Sequence, residues 1–459
     1  MRHGTKKVTV WTKLAESIRA DWKKWSIGAG CALVVILAVI LLCTAGGASG
    51  KLQSGLSWSL DRSGILTVSG DGVIPDMDLT GKMPGWAKHA SRIKTLIVEE
   101  GVTSIGKSVF DADFLPGGQC YAMTQVILPE TMTEIGDCAF YGCVYLEEVV
   151  FAENSALTRV GNSAFYGCAS LQSIRLPDSV SEVGEGAFED CTALTFAAIP
   201  GTVESLAGTF AGCKNLSQVI LGEGLTDIGY STFSYCENLT QLYLPMSLQR
   251  IGEYAFWYSG LTELAVGAAV TDLGEGALGK CTALTSVSFA CPLSMIPDRC
   301  FYGDISLTSV TLPEGVQCIG AEAFRDCTGL TEILLPEGLR EVRDSAFYGC
   351  LKAENIHFPE SLETIGAFAF GSTVAEQIVI PEAVLEVGEG AFSDCAALSM
   401  VHILTEDALY GAKVFEDCMS LSAIHVPEEM TDAARTAFSD SVLQGTDVLF
   451  CSDVSCAAD

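Results

Sequence analysis

Basic side chains are scarce in this chain, which has 26 Lys and Arg against 57 Asp and Glu and a formal net charge of −31. Seven of the basic residues and only two acids fall within residues 1–25, which contribute +5, so the remainder carries −36. Nucleic acids and anionic membrane surfaces attract basic protein surfaces. We therefore predict no nucleic acid partner and no binding of anionic lipid by the sequence after residue 25.

Motifs for catalysis and metal binding are also lacking. The sequence has no Gly-x-Ser-x-Gly elbow, no phosphate-binding loop and no His-Glu-x-x-His motif. None of the five His is spaced to complete a tetrahedral zinc site with Cys. We predict that the chain is not an enzyme and has no cofactor and no metal.

What the sequence does contain is a short repeat, with an apolar anchor residue in an Ala-Phe or similar pair, usually followed three residues later by Cys. The spacings between anchors are 22, 23 or 25 residues after a first one of 30. So short and regular a period predicts a solenoid of stacked coils. The fifteen anchors are Phe110, Phe140, Phe165, Phe188, Phe210, Phe233, Phe256, Leu278, Phe301, Phe324, Phe347, Phe370, Phe392, Phe415 and Phe438.

One unit, Leu307 to Thr328, illustrates how a coil is expected to fold. Val310 and Leu312 are two residues apart, so they share one face of a predicted strand that Pro313 ends. Phe324 and Cys327 are expected to fill the interior. Seven or so apolar side chains cannot form a core alone, so stacking must bury them in columns.

The repeat L-x-x-[IV]-x-L-P-x-x-[VL]-x-x-I-G-x-x-A-F-x-x-C resembles the short leucine-rich repeats of BspA-type bacterial surface proteins over residues 96–440. The segment 56–98 resembles the entry segment of such proteins. The resemblance implies a leucine-rich repeat solenoid, mostly β with short turns of helix, of about 15 coils. It departs from the pattern where Leu278 replaces Phe, and where Ser259, Asp304 and Thr373 replace Cys.

The N-terminal region contains an uncharged apolar run, residues 26–45, after the basic residues 1–25. About 20 apolar residues span a membrane, and the basic flank predicts a cytoplasmic N-terminus with the repeats outside the cell. A cleaved signal peptide and lipidation at Cys43 are the alternatives. The predicted divisions are a basic segment 1–25, a transmembrane helix 26–45, a linker 46–55, a β-rich cap 56–95, the repeat array 96–440 and a C-terminal end 441–459.

Ten of the 19 cysteines occupy one position of the repeat. A residue tied to the repeat in this way is a packing residue, and buried free Cys behaves as a small apolar side chain. We predict free thiols in that column. Cys451 and Cys456 fall outside the repeat position, which makes them the disulfide candidates; the sequence does not decide whether they are bonded.

One position of the predicted strand must face outward, and it carries a single full charge although the array is acidic. An exposed row of this kind can mark an interaction surface, or it can reflect the β-propensity of its residues. The candidate ligand face drawn from it comprises Arg175, Ile220, Tyr243, Leu334, His357, His402 and His425, with Trp257 added from a nearby aromatic cluster.

Two groups within these candidates have their own alternatives. His402 and His425 belong to adjacent coils and should stack about 5 Å apart; they are either a pH-sensitive or metal-binding pair or chance surface histidines. Tyr230, Tyr235, Tyr243, Tyr254, Trp257 and Tyr258 concentrate in the middle coils. They either anchor a protein or sugar or simply fill the repeat.

The function that the resemblance implies is that of a membrane-anchored surface protein, an adhesin or interaction scaffold that binds an extracellular protein or glycan. A structural envelope spacer without a specific ligand is the alternative. A third hypothesis is that the chain carries a carbohydrate-active site. The lack of any inserted domain argues against it, since the one sizeable insertion is residues 111–122.

Overall fold

The computed structural model describes residues 47–52, 54–77, 84–114, 121–406 and 408–427, together with the backbone of Leu449–Cys451. Within these residues the chain forms a solenoid in which each coil contributes a strand to one or both of two ladders. No helix in the described ranges is long and apolar enough to span a membrane. The predicted anchor at residues 26–45 and the last anchor, Phe438, lie outside the described residues.

The first ladder, here called the long-strand ladder, begins with an antiparallel meander and continues as parallel strands. The meander includes Ala48–Lys51, so the predicted linker 46–55 contains an ordered strand. The strands of this ladder are Ala48–Lys51, Ser57–Leu60, Ile65–Ser69, Thr95–Val98, Gln125–Leu128, Glu148–Phe151, Ser173–Arg175, Phe196–Ile199, Gln218–Leu221, Glu263–Val266, Ser286–Phe289, Glu332–Leu334, Asn355–His357, Gln377–Ile380, Met400–Ile403, Ala423–His425 and Leu449–Cys451.

The second ladder, here called the short-strand ladder, is parallel and most of its members have two residues. Its strands are Gly72–Ile74, Val102–Ile105, Glu134–Ile135, Arg159–Val160, Glu182–Val183, Ser205–Leu206, Asp227–Ile228, Arg250–Ile251, Asp272–Leu273, Met295–Ile296, Cys318–Ile319, Glu341–Val342, Thr364–Ile365, Glu386–Val387 and Leu409–Tyr410. The glycine that follows many of these strands forms the corner. At Gly320, for example, a Cβ atom would come within 2.5 Å of the Asp298 backbone nitrogen in the preceding coil.

The third side of each coil is a run of turns around the anchor residue. The Ala-Phe positions form turns and not the single helical turns expected from the sequence. Helix in the described residues is limited to two 3-10 segments, Ala87–Arg92 and Ala112–Phe114. Each anchor from Phe110 to Phe392 donates its backbone N–H to a carbonyl of the next coil at 2.7–3.0 Å, so this side is bonded along the stack as continuously as the ladders.

The core consists of the predicted columns. The fourteen anchors from Phe110 to Phe415 are at most 2% exposed. The intervals between them correspond to 13 successive coils of the solenoid. Neighbouring anchor rings stack with centroids 4.9–5.7 Å apart and interplanar angles of 2–16°. Trp86 stacks on Phe110 and so closes the N-terminal end of the column. Leu278 divides the column into two stacks.

The long-strand ladder is interrupted in the middle of the array. No strand forms at residues 241–245 or 308–312, although Leu242, Val310 and Leu312 point inward as the alternation predicts. The unit that looked most regular in sequence, Leu307 to Thr328, therefore forms only the short strand Cys318–Ile319. Burial follows from the side-chain pattern, whereas a ladder also requires that both neighbouring coils present their backbone in register.

Candidate functional site

The outward-facing position of the long strands forms a column, here called the open-face column, as the sequence predicts. Strand register pairs Arg175 with Ala198 and Ala198 with Ile220. It likewise pairs Leu334 with His357, and His402 with His425. Residues in direct register on parallel strands lie side by side on the same face of the sheet. The geometry therefore brings these candidate residues together in two groups, on either side of the interrupted middle coils.

Several side chains of the open-face column are apolar and accessible. Ile220, Leu334 and Val379 are 40%, 49% and 46% exposed. Tyr243 is 57% exposed, although its coil lacks the regular strand. Arg175, the one full charge in the column, holds its guanidinium carbon 5.2 Å from the centroid of the Phe196 ring in the next coil. The column thus offers an apolar and aromatic surface on a protein whose remaining surface is acidic.

The His402–His425 pair stacks as predicted, with ring centroids 4.7 Å apart and an interplanar angle of 11°. The expectation that the whole column is exposed is wrong for His402, which is only 9% exposed and has Nε2 3.1 Å from the Met400 sulfur. Burial, and then the charge of His425, lowers the pKa of His402. A lowered pKa keeps the His402 ring neutral at physiological pH. No group of three His, Cys, Asp or Glu side chains in the described parts of the chain could hold a metal ion.

Trp257 lies away from the open-face column, on the turn that follows anchor Phe256. Its ring contacts Tyr254, Tyr258 and Tyr302 and none of the column residues. Sequence proximity to Tyr243 placed it with the column, but the corner of the coil separates the two positions. The candidate ligand face predicted as one surface is therefore two surfaces.

The cysteine column has a role that the sequence reasoning missed. All ten repeat-position thiols are free and buried, and each donates S–H to the backbone carbonyl of the anchor in the preceding coil at 3.0–3.4 Å. Burial raises the pKa of Cys327 well above its ordinary value, so the thiol retains the proton that it donates. The column is therefore structural: its thiols add a hydrogen bond between coils to anchor carbonyls, most of which also accept the backbone N–H of the residue three positions further on. Cys451 and Cys456 lie among the side chains that the structure does not describe.

Asp304 occupies the cysteine position of its coil and is completely buried. Neither carboxyl oxygen has a hydrogen-bond partner. Desolvation raises the pKa of Asp304 well above its ordinary value, and the nearby backbone of Cys281 and the charge of Lys280 offset this only in part. A carboxyl group held in this way is protonated and weakly bonded, which makes its coil a weak point of the stack.

Some acidic side chains outside the column form ion pairs between coils. Arg159 contacts Glu134 and Asp137 in the preceding coil and Glu182 in the next coil, at 2.8, 2.9 and 2.8 Å, and so joins three successive coils. Arg250 bridges Asp227 and Asp272 in the same way. A cavity of about 420 Å³ on the short-strand ladder is lined by Glu341, Thr364 and Glu386 among others. Arg343 pairs with Glu341 there, so this cavity is part of the same polar network.

A sequence model of the BspA type leucine rich repeat region matches residues 118–208, 206–331 and 317–444, in 6 copies. A leucine-rich repeat protein of Bacteroides ovatus is 20% identical with a TM-score of 0.51, over 86% of this chain and 98% of its own, and shares the fold. A leucine-rich repeat protein of Eubacterium ventriosum is 25% identical with a TM-score of 0.43, covering 72% of this chain and 95% of its own.

A leucine rich cell surface protein of Faecalibacterium prausnitzii is 24% identical with a TM-score of 0.44, covering 83% of this chain and 95% of its own. No curated protein sequence matches the chain. The family model alone spans residues 118–444, well over half of the sequence, and it matches the same units that stack in the structure. The chain therefore belongs to the BspA-type leucine-rich repeat family.

Proposed function

We propose that the chain is a membrane-anchored cell-surface scaffold that binds an extracellular protein or glycan on its open-face column. The observation that carries the proposal is a contrast in charge. The open-face column carries one full charge, whereas the whole chain has a formal net charge of −31. The β-propensity of strand residues accounts for Ile220 and Val379. It does not account for exposed Tyr243 in a coil without a strand.

Desolvation favours the open-face column over the acidic edge as the binding surface. Small and apolar side chains cost little to remove from water, while unpaired carboxylates cost much. The centres of protein interfaces are accordingly depleted of charge and enriched in aromatic residues. The exposed acids that follow the long-strand position, Glu314, Glu337 and Glu360, are better suited to steering a partner than to forming the contact.

The proposed location of the array rests on the N-terminal sequence. Residues 1–25 are basic and residues 26–45 are apolar, an order that places the following residues outside the cell. The proposal includes no catalytic activity: the described repeat-position thiols are buried, and the family is one of repeat proteins.

The test compares two triple variants of the full chain displayed on cells. In the first, Ile220, Tyr243 and Leu334 are replaced by Lys; in the matched control, Glu314, Glu337 and Glu360 are replaced by Gln. Binding of the cells to arrayed extracellular proteins and glycans is measured at low and at physiological salt. The Lys variant should lose binding, because three charges would have to be desolvated, while the Gln control should retain it and change only its salt dependence.

Two outcomes would contradict the proposal. If the Gln control loses binding and the Lys variant retains it, the acidic edge is the contact surface. If cells with the unaltered chain bind nothing on the arrays, the envelope-spacer alternative is favoured. Surface staining of each variant verifies equal display.

A further inference from the structure

Six aromatic rings from three coils form a continuous cluster on the turns, here called the turn cluster; the coil of Leu278, between the last two, contributes no ring. It comprises Tyr230, Tyr235, Tyr254, Trp257, Tyr258 and Tyr302, linked by ring contacts with centroids 5.2–6.2 Å apart. Tyr230, Tyr235 and Tyr258 are 55%, 47% and 41% exposed, so the cluster is a surface and not part of the core. It lies on a different side of the coil from the open-face column.

Three of these tyrosines have a left-handed backbone, which bulky residues rarely adopt. The φ angles of Tyr235, Tyr254 and Tyr258 are 57°, 53° and 58°. Glycine takes the position of Tyr235 and Tyr258 in five other coils, at Gly142, Gly167, Gly212, Gly303 and Gly349. The repeat pattern alone therefore does not explain tyrosine at this position. The left-handed conformation itself belongs to the repeat, since Asp190, Lys280 and Asp326 hold it at the same position of other coils; only the choice of tyrosine is particular to these coils.

Glycines in the next coil make room for two of the rings. A Cβ atom at Gly276 would lie 2.6 Å from the Tyr254 ring, and one at Gly279 would lie 2.3 Å from the Trp257 ring. Gly279 occupies the turn position at which the neighbouring coils have Trp257 and Tyr302, and those two rings lie across it with an interplanar angle of 20°. The sequences of two adjacent coils are thus matched, since glycine stands where a side chain would clash with the Tyr254 or the Trp257 ring.

Polar groups border the rings, and their charges balance. Tyr254 donates its hydroxyl to Glu275, and Arg299 bonds both Glu275 at 3.1 Å and Glu322 at 2.6 Å. The Lys280 ammonium lies 4.4 Å from the centroid of the Tyr302 ring. These two cations and two carboxylates balance at the end of the cluster formed by Tyr254 and Tyr302, on a chain that carries −31 overall. Such a border attracts neither a basic nor an acidic partner by its net charge.

We propose that the turn cluster is a binding site for a neutral hexopyranose chain. The C–H groups of a pyranose ring are apolar and suit exposed aromatic surface, while its hydroxyls suit phenol, carboxylate and guanidinium groups at the border. Tyr235 and Tyr258 stack face to face at 5.2 Å, and Tyr230 and Tyr254 meet edge to face at 6.2 Å, so a bound chain would run along exposed ring edges and phenol hydroxyls. This site is independent of the proposed role of the open-face column.

The test is isothermal titration calorimetry of the full chain in lipid nanodiscs, which avoid detergents with sugar head groups. The probes are cellohexaose, laminarihexaose, β-1,4-mannohexaose and chitohexaose. At least one should bind. Trp257→Ala should lower its association constant at least tenfold, because this ring contacts three of the other five.

Two further variants separate binding from folding. Tyr258→Gly installs the residue that other coils have at this left-handed position, so it should weaken binding at least threefold while the unfolding midpoint is unchanged or raised. The control is Tyr141→Ala with Tyr166→Ala, which removes a stacked pair, 4.7 Å apart, from turns of other coils and should leave binding unchanged.

The variant with Lys at Ile220, Tyr243 and Leu334 distinguishes this site from the open-face column and should bind the hexasaccharide normally. The proposal is overturned if none of the four probes binds, or if Trp257→Ala or Tyr258→Gly binds as the unaltered chain does. It is also overturned if the Lys variant abolishes binding, since the sugar site would then be the column.

Discussion

Replacing Asp304 by Cys should stabilise the array. Asp304 lies in the cysteine column, fully buried, with Cys281 and Cys327 at the equivalent positions of the neighbouring coils. Neither carboxyl oxygen is hydrogen bonded. A thiol at this position should instead donate to the carbonyl of Leu278, as the other repeat-position thiols do to the anchors of their preceding coils.

The magnitude follows from the state of the carboxyl group. An unsatisfied buried polar group costs about 1–3 kcal/mol. Removing that cost and restoring an S–H donor should raise the free energy of unfolding of this region by about the same amount. Ser259 and Thr373, the other residues that replace Cys, find partners in Cys281 and in Phe370, so equivalent changes there should have smaller effects.

The gain should depend on pH with a definite sign. Burial raises the pKa of Asp304 above its ordinary value of 3.8, and the groups around it are Cys281, Cys300, Cys327 and Lys280. Its folded form holds a proton that its unfolded form releases. The contribution of Asp304 to stability is therefore greatest below pH 3.8 and falls as the pH rises toward the folded pKa, by up to about 1.4 kcal/mol per pH unit.

The assay is urea unfolding together with hydrogen exchange of residues 278–327, carried out at pH 5, 6 and 7 for the unaltered chain, Asp304→Cys and Asp304→Asn. Both variants should abolish the part of the pH dependence that Asp304 contributes, and Asp304→Cys should be more stable than Asp304→Asn at each pH. The reasoning is refuted if Asp304→Cys is less stable than the unaltered chain, or if its advantage does not grow from pH 5 to pH 7.

Three further predictions concern the core, the thiols and the orientation. Phe324→Ala should cost about 3–5 kcal/mol and reduce hydrogen-exchange protection in the coils on either side; loss confined to one coil would contradict shared burial. Thiols of the repeat position should resist alkylation in the folded protein and react after denaturation without reduction, whereas systematic disulfides between coils would contradict the column of free thiols. Protease added to intact cells should digest the array and spare residues 1–25, and the opposite pattern would reverse the proposed orientation.

Which side chains point into the core could be predicted from the sequence, because burial depends on side-chain type alone. The anchors, the apolar strand positions and the cysteine column recur in phase, and they are buried as predicted. Strand formation could not be read in the same way. Val310 and Leu312 are buried without forming a strand, since hydrogen-bonded pairing depends on the neighbouring coils as well.

Details of hydrogen bonding and backbone conformation could not be predicted from the repeat pattern of the sequence. The repeat identified Cys as small and apolar, but its donor role requires knowing that the anchor carbonyl of the preceding coil lies above it. Trp257 is near Tyr243 in sequence, yet the corner of the coil separates them. The left-handed backbone of Tyr258 would have been detectable only by noticing that other coils place Gly at that position.

Backbone hydrogen bonds join neighbouring coils on each side of the solenoid, except where the long-strand ladder is interrupted, and this has a mechanical consequence. A tensile force along the axis acts in line with the hydrogen bonds between coils, so it opens them one after another and does not shear many at once. Each released coil of about 23 residues adds roughly 80 Å of extended chain. Pulled from its two ends, the array behaves as a tether that lengthens in equal steps under low load, with the coil of Asp304 the first to yield.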